Sequence, residues 1–115
     1  MRRQGRENLD RRRVYPELAE GSINDLIIYC LNNAAKGRGV SFERLVKECF
    51  SAFPKVFGLS QYAKWPDSRK LDRPLRTLRK RGLVAGHPQI AFTLTASGRE
   101  RALEISKIIH QQKLL

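Results

Sequence analysis

The spacing of apolar residues turns from helical to alternating at Gly82 and back again at Thr95, and those changes limit what the chain can fold into. Before Gly82, Leu71, Leu75 and Leu78 recur in threes and fours, the spacing of one helix face. After it, Leu83-Val84-Ala85, a turn at Gly86-His87-Pro88-Gln89, and Ile90-Ala91-Phe92-Thr93-Leu94 follow a period of two, with Ile90, Phe92 and Leu94 on one face. That is a short β-hairpin. Helical spacing then returns: Thr95 caps a helix from about Ala96 to Gln112, with Ala102, Ile105 and Ile109 on one stripe and Leu103 and Ile108 widening it. A helix feeding a hairpin that feeds a helix gives an α+β, mainly α, chain with a two-stranded sheet and a C-terminal helix.

Two more helices precede this unit. Ser22 opens the first, with Asp25 as an imperfect capping box and Ile23, Leu26, Ile27, Cys30, Leu31 and Ala34 at helical spacing, until Gly37 and Gly39 stop it. Val40 lies in a short extended link. Ser41 caps the second, whose stripe of Phe42, Leu45, Val46, Cys49, Phe50 and Phe53 ends at Pro54. Residues 55–66 hold Phe57, Leu59, Tyr62 and Trp65 without periodicity, an irregular or single-turn segment expected to pack by its aromatics. Asp67 or Ser68 caps the third helix, which runs to Arg81 and stops where Gly82 can turn left-handed. Pro74 is the obstacle there, so the regular part of that helix is expected to begin only near Asp72 or Arg73.

At 115 residues the chain fits one domain, read as 22–115, behind a basic arm over 1–21. The first 13 residues carry six arginines and almost nothing apolar, so they cannot fold alone. They are either a solubilising tail or an arm for a nucleic-acid groove, to which Arg11, Arg12 and Arg13 would contribute.

The balance of 23 Lys and Arg against 11 Asp and Glu, a formal charge of +12, points to a polyanionic partner. Arginine leads lysine by 15 to 8, and forked guanidinium groups suit phosphates and guanine edges better than lipid headgroups. The third helix concentrates this charge. Arg69, Arg73, Arg76 and Lys80 fall opposite its leucines at about 100° per residue, and the ridge they form contains no acid. Lys64, Lys70, Arg79 and Arg81 flank it. Arg73 and Arg76 are central enough to reach guanine edges, and Thr77 and Gln61 are further candidates for base contact. His87 and Gln89 sit at the hairpin tip.

Two strings carry a family resemblance. Leu75-Arg76-Thr77-Leu78-Arg79-Lys80-Arg81-Gly82-Leu83-Val84 resembles the end of a winged-helix recognition helix entering the first wing strand. Phe92-Thr93-Leu94-Thr95-Ala96-Ser97-Gly98-Arg99-Glu100 resembles the second wing strand and the Leu-Thr-x-x-Gly start of the next helix in small prokaryotic regulators of the MarR and PadR kind. The resemblance covers roughly residues 22 to 112 and implies a winged helix-turn-helix fold, a DNA-binding transcriptional regulator, and wing contacts from His87 and Gln89. The chain departs from the usual pattern in Pro74 and in its long connection between the second and third helices.

Other classes lack their parts. His87 and His110 lie in different elements, with no phosphate loop and no carboxylate pair at catalytic spacing, so no enzyme and no cofactor is expected. Cys30 and Cys49 read as buried small hydrophobes rather than metal ligands. Tyr29, Trp65 and Phe92 read as core. No apolar run is long enough to span a bilayer and no signal peptide is seen, so the expected setting is cytoplasmic, at the nucleoid when bound. Leu103, Ile105, Ile108, Ile109, Leu114 and Leu115 suggest a homodimer through the last helix. Double-stranded DNA is the leading partner; a winged-helix RNA-binding or ribosome-associated protein and a protein-interaction adaptor are the alternatives.

Overall fold

A computed structural model describes residues 22–114; the arm over 1–21, with Arg11, Arg12 and Arg13, lies outside it, as do Leu115 and the side chains of residues 22 and 112–114. The chain runs α1 (Ser22–Ala35), α2 (Phe42–Ala52), a single turn α3 (Pro54–Phe57), α4 (Arg69–Lys80), β1 (Val84–His87), β2 (Ala91–Leu94) and α5 (Ala96–Leu114). It is mainly helical, with one two-stranded antiparallel sheet and a long C-terminal helix. Among the described residues, no helix is long and apolar enough to cross a membrane.

The core is the sum of the stripes. Leu26, Ile27 and Leu31 of α1 stand at its centre, with Leu45 and Cys49 from α2, Leu71, Leu75 and Leu78 from α4, Val84, Phe92 and Leu94 from the hairpin, and Ala102, Ile105 and Ile109 from α5. α1 packs on α2, α4, β2 and α5, so its residues are apolar nearly all round at their centre, Ile28 included. The polar tie between first and last helix is a forked ion pair: Arg101 donates through Nη2 and Nε to the two carboxylate oxygens of Asp25, at 2.7 and 3.2 Å. Asp25, expected as half of a capping box, thus commits both oxygens to a partner 76 positions away. This bonding raises the pKa of Arg101 above its ordinary value.

Cys30 and Cys49 are free and buried, as their apolar neighbours imply. The Cys30 thiol beside it, and then burial, push the Cys49 thiol far above its usual range, so it stays protonated.

The junctions are where local chemistry decides. Ser41 accepts from the Arg44 N–H at 3.2 Å and opens α2. At the end of α4, Gly82 takes φ +75°, Leu83 N–H donates back to the Leu78 carbonyl and Gly82 N–H to the Arg79 carbonyl, the paired bonds of a glycine-terminated helix. The Thr95 hydroxyl donates to the Gly82 carbonyl at 2.6 Å and accepts from Gly98 N–H at 3.0 Å. One side chain therefore caps α5 and fastens it to the end of α4.

Four expectations are corrected. The hairpin is shifted: β1 runs to His87, β2 begins at Ala91, and the turn is Pro88-Gln89-Ile90, with Ile90 78% exposed instead of sharing the inner face of Phe92 and Leu94. α4 does not start late. It is regular from Arg69 with Pro74 inside it, because Asp67 accepts from the Arg69 N–H at 3.1 Å and the first turn closes with Lys70 and Leu71 N–H bonded three residues back. Proline then forfeits one later bond, a cost of about 3 kcal/mol in a helix interior that the burial of three leucines outweighs. Tyr62 and Trp65 do not pack the irregular segment. Phe57 alone of its aromatics is buried, and Trp65 is not core. Finally, Ile105 and Ile109 close the core against α1 and are not available to a partner. Of the stripe expected to make a homodimer, Leu103 is exposed and Ile108 half-buried, while the side chains of Leu114 and Leu115 lie outside the description.

Candidate nucleic-acid interface

α4 is two-faced. Leu71, Leu75 and Leu78 are buried, and Arg69, Arg73, Arg76 and Lys80 on the opposite side are all exposed. At about 1.5 Å rise per residue the four cations span about 16 Å of helix, close to five base steps of about 3.4 Å. Arg69 is 82% exposed, with Nε 3.4 Å from Asp67 Oδ1. Asp67 is otherwise buried and engaged with Arg69, while Asp72, exposed on α4 itself, stands beside the ridge. Thr77, half-buried, borders the ridge.

Lys70 departs from the cationic surface. Its Nζ donates to the Gly58 carbonyl at 2.7 Å and the Val56 carbonyl at 3.2 Å, behind the helix. It was expected among the binding residues; the structure instead makes it a staple that holds the segment after α3 to α4. Nothing in the sequence signals this, because the carbonyls it meets are backbone.

The hairpin stands beside α4. His87 and Gln89 are at its tip, both exposed, and Gln89 N–H donates to His87 Nδ1 at 3.1 Å. A neutral His87 then carries its proton on Nε2, a free donor. Between α4 and the hairpin lies a cleft of about 420 Å³, with Asp72, Arg76 and Arg79 on one wall, His87 and Pro88 on the other, and Phe92 beneath. The structure thus brings Arg76 of α4 and His87 of β1 to one groove. Arg79 joins them there, a position its angle between ridge and leucines would have shown. Val40, in the link before α2, exchanges backbone hydrogen bonds of 2.9 and 2.8 Å with Phe92, so β2 pairs with β1 on one edge and with the link on the other.

Among the described residues, no group of three or more His, Cys, Asp or Glu is placed to hold a metal ion. The cleft has an apolar floor of Phe42, Leu75 and Phe92, and its polar rim of Arg76, Arg79, His87 and one carboxylate, Asp72, can meet phosphate oxygens. Comparison with protein-family models, curated proteins and solved structures finds no significant match.

Proposed function

We propose that this chain is a winged-helix DNA-binding protein, a transcriptional regulator that lays α4 on duplex DNA with the β1–β2 hairpin as its wing. The observation that carries the reading is the division of α4: its leucines are buried, and the opposite face offers Arg69, Arg73, Arg76 and Lys80 to solvent with no acid among them. Support for the winged-helix arrangement comes from the element order, from the link at Val40 pairing with the second hairpin strand, and from the Leu94-Thr95-x-x-Gly98 junction, where each motif residue has a physical task.

In this reading the ridge neutralises phosphates, and Arg73 and Arg76 are the side chains placed to read guanine edges in the major groove. His87 and Gln89 touch backbone at the wing. The N-terminal arginines add sequence-independent attraction, and the protein works in the cytoplasm without a cofactor, at the nucleoid when bound.

The test is Arg73→Glu combined with Arg76→Glu, measured for duplex affinity and thermal melting together. Both side chains are exposed, so melting should stay within about 0.5 kcal/mol of wild type in stability terms. Duplex affinity should fall by at least a hundredfold, because two attractions become two repulsions. Unchanged affinity in the folded variant removes α4 from the interface. Structured RNA added as competitor should displace duplex poorly; preferential displacement would favour an RNA partner.

A further inference from the structure

We propose that Trp65 and Tyr62 form a stacking platform for unpaired bases, so that the preferred partner is a duplex flanked by a single-stranded segment; this rests on the nucleic-acid reading above. Every other aromatic side chain among the described residues is buried or half-buried. Trp65 is 59% and Tyr62 65% exposed. Leaving two large rings mostly in water forgoes the free energy of burying them, so their placement calls for a partner.

The backbone that carries the rings is held in place. Trp65 N–H donates to the Tyr62 carbonyl at 2.9 Å, which closes a turn with the two aromatics at its ends, about 7 Å or less apart at Cα. Leu59 N–H donates to the Trp65 carbonyl at 2.8 Å, Asp67 N–H to the Phe57 carbonyl at 2.8 Å, and Gly58 bridges Pro66. Lys70 pins the base of the loop through its two carbonyl bonds. A loop fixed this way loses little further entropy when a ligand lands on it.

Its charge selects the ligand. Residues 54–66 contain no carboxylate, and Lys64 stands between the two aromatics in the chain. Arg69, the first cation of the ridge, reaches back to Asp67, two residues beyond Trp65. The aromatic turn thus immediately precedes the N-terminal end of the cationic ridge in the chain, with Asp67 bonded to Arg69 between them. Flat apolar rings among cations match a base with its phosphate; an apolar protein surface would not need the cations, and an acidic peptide would not need two exposed rings. Paired bases hide their faces, so the stacked bases are unpaired ones adjoining the duplex that α4 contacts.

Trp65 is the one tryptophan of the chain, so its fluorescence reports this site alone. Full-length protein would be titrated with a blunt DNA duplex and with the same duplex bearing a short thymine overhang at either end, at matched salt. The expected result is about tenfold tighter binding of an overhanging duplex, the contribution of one stacked base, with Trp65 emission quenched by it and unmoved by the blunt duplex. Trp65→Ala should erase the gain while leaving blunt-duplex affinity in place, because the loop bonds of Trp65 are made by its backbone; Trp65→Phe should keep most of it. Equal affinity for both duplexes with unquenched emission overturns the platform while the ridge reading stands, and is what a protein-docking patch would give. Binding of neither duplex overturns both.

Discussion

Single residues at the turn from α4 to α5 carry more of this fold than their size suggests. Gly98 has no Cβ because the Leu83 carbonyl occupies the space one would need, and Leu94 crowds the same point at 3.1 Å. A methyl there must push backbone apart, so Gly98→Ala should cost about 1–3 kcal/mol, against about 1–2 kcal/mol for Thr95→Ala, which loses the cap and the bond to the Gly82 carbonyl. Chemical denaturation of the two variants would check the order. Lys70→Ala separates a staple from a binder in the same way. It should lower stability by about 1–3 kcal/mol, since two carbonyls lose a charged donor, yet leave the salt dependence of duplex binding unchanged. A smaller salt slope in that variant would return Lys70 to the interface. Lys70 and Trp65 mark the limit of reading single residues from sequence. A long cation four residues from Pro74 gives no sign that it will turn inward, and burial is the ordinary expectation for tryptophan. Both depend on the path of residues 58–66, an aperiodic segment whose path is set by backbone hydrogen bonds.

At the scale of elements, periodicity was a sufficient guide wherever an element buries one face. α1, α2 and α5 fall where their stripes place them, α4 does so apart from its start, which Pro74 does not delay, and Ser41, Gly82 and Thr95 act as the caps and stop that their chemistry implies. Misplacement came at short elements. A four-residue strand offers only two inward positions, so Val84 alone is buried in β1 and the hairpin could shift without loss, leaving Ile90 in the turn. The face of α5 was legible and its partner was not: Ile105 and Ile109 meet α1 of the same chain, and a pattern of apolar residues cannot say whose core it completes. Ile105→Glu should therefore unfold the chain rather than divide a dimer, visible as loss of the cooperative melting transition. The α1–α5 contact also holds the Asp25–Arg101 fork. Arg101→Met strands a carboxylate only 13% exposed and should cost about 1–3 kcal/mol, or about 4–20 °C in melting temperature for a domain of this size.

Over the whole molecule, charge and shape divide the labour. The core is built from apolar residues of all the larger elements, while half of the formal charge of +12 falls between Lys64 and Arg81, on the ridge and flanks of α4. Such a distribution makes affinity depend on ion release more than on buried area. Removing residues 1–13, with six arginines and two acids, should lower the salt slope by a few units and leave sequence preference largely intact. Of the apolar residues on α5, Ile105 and Ile109 belong to the core and, among described side chains, Leu103 is exposed and Ile108 half-buried.

The central claim is that the ridge of α4 binds duplex DNA through its phosphates, and the most direct measurement is the affinity of the full chain for a blunt duplex across a series of salt concentrations. Four ridge cations, each neutralising one phosphate, predict a slope of log affinity against log salt of about −3.6 or steeper, and substituting Arg73 and Arg76 together by alanine should reduce it by about 1.8. A chain that fails to bind duplex at low salt, or whose slope does not change when those two arginines are removed, would contradict the account.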